Sequence, residues 1–273
     1  MKDYKKKLAL LGILTAVWAS SATSWAAPED NALDCVMEPS DEVELSSPVQ
    51  GILDVVNANR GDFVKKGQVV AKLQSGIEEA SLRLAKARAV MDVDINARKA
   101  EYEMKKRTSG QFESLYEKKL ASMHDYDDAK TQSIVAEYEH KKAIEVKHLA
   151  QLEQDHAQAV LNQRYLKSPI NGVVIERMKS PGEFVEEQPV MKIAQTDPLN
   201  VEVIAPLTLL GKIRVGMNAE VKAEQPVSET YQAKVTIVDP VVHASSGTFG
   251  VRLELPNPER KIQAGLRCKV MFR

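Results

Sequence analysis

The chain has 273 residues, of which 27% are charged and only 5% are aromatic, and its formal net charge is −1. A nearly neutral chain lacks the basic excess that nucleic-acid binding requires, so we expect no nucleic-acid partner. Scarce aromatic residues beside many charged ones favour long, solvated helices over a thick globular core.

Residues 1–26 have the three parts of a secretory signal peptide. Four lysines lie near the start, an apolar run extends from Leu8 to Ala19, and small residues precede Ala26. An uncleaved membrane anchor is the alternative, but a span needs about 20 apolar residues. We therefore expect cleavage after Ala26 and export of the mature chain. No cysteine stands at that point, so an acylated N-terminus is not expected.

The two cysteines of the chain are Cys35 and Cys268. In an exported protein two cysteines can pair, and this bond would tie the N-terminal segment, residues 27–45, to the last strand. Two buried free thiols are the alternative, because isolated cysteines are often buried. The disulfide is the preferred interpretation, and the alternative stays open.

Two similar stretches lie far apart in the chain. The first, SSPVQGILDVVNANRGDFVKKGQVVAKL, falls within residues 46–75, and the second, KSPINGVVIERMKSPGEFVEEQPVMKI, falls within residues 167–198. Both are rich in valine and isoleucine and carry glycine at turn positions, a pattern that predicts short strands. Each has too few strands to be stable alone. The sequence therefore predicts that the two stretches are halves of one β-sandwich.

Residues 76–166, between the halves, predict an antiparallel helical hairpin. This stretch has no proline and is rich in good helix formers. A break near residues 118–125, where Ser122 is a suitable N-cap, would let the chain return. Each arm would then hold about 40 residues and extend about 60 Å.

Apolar residues recur on the hairpin at three- and four-residue steps, and we interpret them as the seam between its arms. The seam predicted on the second arm consists of Val135, Tyr138, Lys142, Val146, Leu149, Leu152, His156 and Val160. The looser seam predicted on the first arm consists of Ile77, Leu84, Met91, Ile95, Tyr102, Phe112 and Leu115.

Residues 199–273 predict a small β-barrel. Five stretches with alternating or continuous apolar residues read as strands, from NVEVIAP to RCKVMFR, with turns at Asp239-Pro240 and Pro256-Asn257-Pro258. The stretch LTLLGKI, from Leu207, predicts a short helix. The predicted fold class is thus an elongated α+β chain of several domains, with a hairpin inserted into a sandwich and a barrel behind it.

From Val43 to Arg273 the chain resembles the periplasmic adaptors of bacterial efflux and secretion pumps, the HlyD-like membrane fusion proteins. The resemblance lies in the order of its parts: half-sandwich, hairpin, half-sandwich and barrel. SPVQGILDVVNANRGDFVKKGQVVAKL and SPINGVVIERMKSPGEFVEEQPVMKI are similar to the halves of a lipoyl or biotinyl domain. VHASSGTFGVRLELPNPERKIQAGLRCKVMF is similar to the adaptor barrel. The chain resembles a short adaptor, without the membrane-proximal domain of fuller members.

The resemblance implies an adaptor that links an inner-membrane transporter to an outer-membrane channel in the periplasm. A resistance-nodulation-division (RND) pump is the preferred transporter, and an ABC exporter or type I secretion system is the alternative. The family also implies a homo-oligomeric ring, with six copies as its usual number. A lipoyl or biotin carrier is less favoured, because no lysine lies between Leu73 and Ile77, and the nearest, Lys72, belongs to a strand pattern. A structural coiled-coil envelope protein is the third possibility.

The hairpin tip resembles the channel-binding tip of the family, which has an Arg-x3-Leu-x6-Ser pattern followed by acidic and Tyr-Asp residues. Gln111 stands here in the arginine position, although Arg107 lies one helical turn earlier. The alternative is that Leu115 and Tyr126 are seam residues. The predicted channel-contact residues are Gln111, Leu115, Ser122, Asp125, Tyr126 and Asp127.

Catalytic and metal-binding motifs are not found in the sequence. There is no G-x-S-x-G, H-E-x-x-H or P-loop, so we expect neither an enzyme nor a cofactor. His140, His148 and His156 recur every eight residues, which turns each about 80° from the last around a helix. Such residues do not converge as metal ligands do, and we expect them to be solvated.

Overall fold

A computed structural model describes residues 32–224 and 229–273. The predicted signal peptide, residues 1–26, and its cleavage point therefore lie outside the described residues. Over the described ranges the chain forms twelve β-strands, three α-helices and a short 3-10 helix.

The chain segments on either side of the hairpin supply three strands each to one sandwich. These strands are β2 (Gly51–Val56), β3 (Phe63–Val64), β4 (Val69–Leu73), β5 (Tyr165–Lys167), β6 (Gly172–Arg177) and β7 (Phe184–Val185). Strands from different halves pair with each other: β2 with β7, β3 with β6 and β4 with β5, all antiparallel. Side chains of both halves share one core, which includes Leu53, Val64 and Val174. The predicted sandwich of two interleaved halves is confirmed.

A closed barrel follows the sandwich in the chain. Its strands are β1 (Leu33–Leu45), β8 (Met191–Pro206), β9 (Asn218–Ala223), β10 (Thr230–His243), β11 (Thr248–Leu255) and β12 (Arg267–Phe272). The order is β1-β12-β9-β10-β11-β8, and β1 also pairs with β8, which closes the cylinder. The 3-10 helix Leu207–Leu209 lies where the short helix was predicted. After it, Ile213 is buried in the barrel core, beside fully buried Phe249.

Strands β1 and β8 belong to both the sandwich and the barrel. They run antiparallel from the pair Leu45–Met191 in the sandwich to the pair Cys35–Val203 in the barrel, with one register shift near Pro39. The boundary predicted between residues 198 and 199 falls inside β8. Likewise, the N-terminal segment extends beyond the barrel and contributes an edge to the sandwich. The two domains are therefore joined by a hydrogen-bonded ribbon and not by a single linker.

The hairpin consists of α1 (Gly76–Ala89), α2 (Val93–Glu117) and α3 (Met123–Asn162). The second arm, α3, is one helix of 40 residues, which corresponds to about 60 Å. The first arm is interrupted at residues 90–92, although this stretch contains neither proline nor glycine. Asp92 is the N-cap residue of α2, and its carboxylate pairs with Lys147 on α3. The interruption is therefore fixed to the opposite arm.

The seam between the arms is made of small side chains, and the predicted seam is wrong for most of its residues. Leu82, Ala85 and Ala89 are buried on α1, and the buried positions of α3 are Ala129, Ala136, Ala143, Ala157 and Leu161. The predicted apolar residues of α3 lie on a different side of the helix, where they are solvent-exposed. These exposed residues are Val135, Tyr138, Val146, Leu149, Leu152 and Val160.

On the first arm the seam prediction holds only for three residues of α2. Ile77, Leu84, Met91 and Leu115 are exposed, whereas Ile95, Tyr102 and Phe112 are half-buried. The ring of Tyr102 stacks on that of His140 across the seam, with centroids 6.2 Å apart. Lys105 Nζ also donates to Gln132 Oε1 at 2.7 Å. Polar contacts thus join the arms in the tip half, where α2 buries no residue completely.

Candidate functional site

The tip of the hairpin is a tight turn between α2 and α3. Lys119 has a left-handed backbone, with φ of 59°, as residues that end helices often do. The Lys119 N–H donates to the Tyr116 carbonyl, and the Leu120 N–H donates to the Leu115 carbonyl, both at 2.8 Å. These bonds satisfy carbonyl groups at the end of α2, so the turn has a defined conformation.

Ser122 begins the return helix as its N-cap residue. Its Oγ accepts from the Asp125 N–H at 3.1 Å, and its hydroxyl donates to Asp125 Oδ2 at 2.6 Å. The hydroxyl bond holds the pKa of the Asp125 carboxyl below its ordinary value. An acid in the first turn also interacts favourably with the helix dipole. The structure therefore gives these two predicted contact residues a role in holding the tip together.

Tyr126 lies against the other arm of the hairpin. Its ring stacks on Tyr116, with centroids 5.5 Å apart and planes 10° from parallel. Its hydroxyl donates to Glu113 Oε1 at 3.4 Å, and Lys130 Nζ lies 5.5 Å from its ring centroid. Sequence reasoning identified Tyr126 but missed its three partners, since no local pattern shows which residues face each other across a turn.

Apolar side chains project from this rigid turn. Leu120 is 72% exposed, Met123 is 53% exposed and Leu115 is 39% exposed. The sequence prediction contained Leu115 but missed Leu120 and Met123, which stand out as apolar residues within the charged turn KKLASMHD. Gln111 and Asp127 are also exposed. The tip therefore presents exposed apolar groups on a fixed backbone, with polar groups nearby, a combination typical of protein interfaces.

At its other end the hairpin is fastened to the sandwich by Arg164. The guanidinium donates to Glu78 Oε1 from Nε at 3.0 Å and from Nη2 at 2.6 Å. Nη1 donates to the carbonyl of Gln50 at 2.9 Å, close above Gly51, where a Cβ atom would lie 2.8 Å from it. One side chain thus joins α1, the end of α3 and the first strand of the sandwich.

Lys72 is held in an ion pair by the first turn of α1. It is the lysine nearest to the position where carrier domains present a modified lysine. Its Nζ lies 3.0 Å from Glu79 Oε1 and 5.4 Å from the ring centroid of Tyr165. The hydrogen bond to Glu79 raises the pKa of Lys72 above its ordinary value. This ammonium group pairs with the first turn of α1 and is not displayed at the end of a loop.

Cys35 and Cys268 face each other on adjacent strands. They are register partners in the pairing of β1 with β12, and the structure places their sulfur atoms in a disulfide, 2.13 Å apart. Both side chains are also buried in the barrel core. The bond joins the described start of the chain to its last strand.

Within residues 32–224 and 229–273, no three His, Cys, Asp or Glu side chains are grouped to hold a metal ion. In the same part of the chain, none of the helices combines the length and the hydrophobicity that a membrane span needs.

Comparison with known families identifies both β domains. Residues 41–195 match the CzcB-like barrel-sandwich hybrid domain, and residues 199–273 match the CusB-like beta-barrel domain. The chain belongs to the family of membrane fusion proteins, the periplasmic adaptors. The family match spans the sandwich together with its inserted hairpin.

Relatives of known name are distant in sequence. The chain is 24% identical over 218 residues to the cobalt-zinc-cadmium resistance protein CzcB of Cupriavidus metallidurans, covering 79% of this chain and 39% of CzcB. It is 26% identical over 245 residues to the solvent efflux pump periplasmic linker SrpA of Pseudomonas putida, covering 82% of this chain and 56% of SrpA. The chain therefore spans only about two fifths to just over half of the length of these relatives.

Solved structures show the same fold. The crystal structure of MacA from Actinobacillus actinomycetemcomitans superimposes with a TM-score of 0.72 at 22% identity, covering 88% of this chain and 77% of MacA. A membrane fusion protein of Streptococcus pneumoniae gives a TM-score of 0.58 at 15% identity, covering 89% of this chain and 98% of that protein. The predicted adaptor architecture is thus confirmed.

Proposed function

We propose that this chain is the periplasmic adaptor of a tripartite efflux pump, linking an inner-membrane transporter to an outer-membrane channel. The observation that carries the proposal is the separation of two interaction ends by the hairpin. The exposed apolar tip lies about 60 Å along α3 from the sandwich. The relatives CzcB and SrpA, named as a resistance protein and an efflux pump linker, support the same role.

The proposed contact with the outer-membrane channel is the hairpin tip. Leu115, Leu120 and Met123 would bury apolar surface against the channel, while the Ser122 cap and the tyrosine stack keep the turn rigid. A rigid surface loses less conformational entropy on binding than a mobile loop does. Gln111 carries no charge, so we expect the facing channel surface to lack the acidic group that an arginine would pair with.

For the inner-membrane partner we propose an RND transporter. The matching barrel family is itself of the RND type, and the curated relatives include a cation resistance protein and a solvent efflux linker. An ABC exporter is the alternative. In either case the adaptor acts in the periplasm, as one of several copies in a ring, and without catalytic activity of its own.

Site-specific crosslinking in intact cells tests the proposal. A photoreactive residue at Leu120 should crosslink to an outer-membrane channel, because this side chain is more exposed than Leu115 and Met123. One at Leu210, a half-exposed residue beyond the end of β8, should crosslink to the inner-membrane transporter and show its class. Ile144, on the middle of α3, is a matched control that is expected to give neither product.

A functional measurement accompanies the crosslinks. Leu120→Asp places a charge where apolar contact is proposed, so cells should lose most of their efflux while the amount of folded adaptor stays unchanged. Ile144→Asp should leave efflux intact. Full efflux in the Leu120→Asp strain, with no channel crosslink at Leu120, would refute the proposed tip contact.

A further inference from the structure

One side of the hairpin carries a long exposed apolar surface, which we call the lateral face. Its side chains are between 36% and 83% exposed. It consists of Val135, Tyr138, Val146, Leu149, Leu152 and Val160 on α3 together with Ile77, Leu84 and Met91 on α1. These are the residues whose periodicity predicted a seam, and in the hairpin itself the seam is made elsewhere by alanine.

The lateral face is a groove between the two arms. Near the sandwich, a cavity of about 720 Å³ is lined by Ile77, Leu84 and Val160, among others. Further along, a second cavity of about 400 Å³ is lined by Met91 and Val146. Leu149 lines both, so the groove is continuous over the sandwich half of the hairpin. Its walls combine apolar residues at the spacing of a helix-packing surface with charged side chains, among them Glu78, Asp94 and Lys147.

The opposite side of the hairpin has a different character. At 100° per residue, Glu137, His148 and Asp155 lie on the side of α3 away from Val146 and Val160, with Ile144 the large apolar residue among them. Glu137 Oε1 pairs with Lys141 Nζ at 2.6 Å, and Lys141 lies at the edge of the lateral face, with Nζ 5.3 Å from the ring centroid of Tyr138. A head-to-tail contact would place the apolar groove of one copy against this charged side of the next and would desolvate its ions.

We propose that two copies of the chain pair through their lateral faces about a two-fold axis. In this arrangement apolar residues meet apolar residues on both copies, and the four arms form a helical bundle. The residues from 135 to 160 extend about 37 Å, and two helices side by side are about 20 Å wide. Each copy would bury roughly 740 Å², close to the roughly 800 Å² per partner of a stable interface.

The charged residues in the groove are compatible with this pairing. Arg88 Nη1 and Glu153 Oε2 lie 3.9 Å apart across the groove, so they neutralise each other within one copy. The interface therefore gains no net charge from them. Lys142 interrupts the apolar stripe and its Nζ lies 3.9 Å from Glu139 Oε2, so its charge is also neutralised within one copy, and exposed His156 lines the groove near the sandwich.

The symmetric pair differs from the ring proposed above and does not depend on it. Neighbours in a ring that all point the same way are related by rotation about the ring axis, which makes head-to-tail contacts. In a two-fold pair the second copy is rotated by 180°, so that its lateral face meets the same face of the first copy. The pair would therefore be an assembly of the free adaptor.

Light scattering coupled to size-exclusion chromatography, together with sedimentation velocity, tests the pairing on the chain purified after export. We expect the mass of two copies, with a dissociation constant of about micromolar order. Leu149→Lys places an ammonium group at the centre of the face and should weaken pairing by at least about 100-fold. Ile144→Lys adds the same charge on the opposite side and should weaken it less than about threefold.

Each outcome is decisive. Loss of the pair in Leu149→Lys, with the pair retained in Ile144→Lys and unchanged far-ultraviolet circular dichroism in both, supports the pairing. A monomer at every concentration, an assembly of more than two copies, or a pair that survives Leu149→Lys would overturn it. If Leu149→Lys fails to fold, Leu149→Ser serves as the second variant with the same expected loss of mass. Crosslinking of Leu120 to a channel is independent of all these results.

Discussion

Replacing Arg164 by alanine should release the base of the hairpin from the sandwich. The substitution removes two charged hydrogen bonds to Glu78 and one to the carbonyl of Gln50. Glu78 would then be left as an unpaired carboxylate that is largely shielded from water, with 13% of its side chain exposed. The arm that depends on this contact is α1, which starts at Gly76.

The magnitude follows from the burial of the pair. Removing one partner of a buried ion pair costs about 3 to 5 kcal/mol, and the remaining exposure of Arg164 and Glu78 places this pair at the lower end of that range. A cost of about 3 kcal/mol corresponds to a change of about 150-fold in an equilibrium constant. Opening of α1 from the sandwich should become more frequent by that factor.

Hydrogen exchange followed by mass spectrometry measures this opening. Amides of Gly76–Ala89 should lose about 150-fold of their protection, while amides of the barrel strands keep theirs. The matched control is Arg88→Ala, which breaks an exposed pair with Glu153 at 3.9 Å and should change protection less than about threefold. Equal protection in the two variants, or a loss spread evenly over the barrel, would refute the assignment of Arg164 as the fastener.

The further predictions concern the tip, the disulfide and the seam. Ser122→Ala should cost about 1 kcal/mol of α3 stability, seen as faster exchange in its first turn. Because the hydrogen bond from Ser122 holds the pKa of Asp125 below its ordinary 3.8, its stabilising contribution is present above pH 3.8 and is lost as the pH falls through the depressed pKa, so this turn should fray progressively as the pH falls below 3.8. Thiol labelling without reductant should find no free cysteine, and Cys268→Ser, which opens the link to Cys35, should cost about 4 kcal/mol in denaturant unfolding of the barrel. Ala143→Leu should overfill the seam and cost about 1 to 3 kcal/mol in thermal unfolding of the hairpin, whereas the same change at an exposed position should not.

The β domains could be predicted because their patterns are local and repeated. Proline and glycine occupy matching positions in the two similar stretches and mark their turns. The strands between these turns have apolar residues on the side that becomes the core. The interleaved sandwich followed from the small number of strands in each half. Shared strands could not be predicted in the same way. Whether β8 ends at Pro198 or continues into the barrel depends on its pairing with β1, a pairing that extends along β8 from Met191 to Val203 and involves a distant part of the chain.

The interruption of the first arm has no local signal. Residues 90–92, Val-Met-Asp, include no residue that forbids a helix, and a continuous arm was the natural prediction. Asp92 is a good N-cap residue, but it stops a helix only where something compensates for the lost hydrogen bonds. Here the compensation includes the ion pair with Lys147, which comes from the opposite arm. Tertiary contacts therefore decide this boundary.

The hairpin seam shows most clearly what periodicity can and cannot predict. A three- and four-residue repeat of apolar side chains correctly indicates a face that avoids water, but it does not say which surface will cover that face. Alanines at 129, 136, 143, 150 and 157 repeat every seven residues and let the arms approach closely, yet alanine gives little hydrophobic contrast in a charged helix. The hairpin therefore closes on its small residues and leaves its large ones outside. Burying large apolar residues within the hairpin would have been the more stabilising choice for an isolated chain, so their exposure is what leads us to expect a second copy against them.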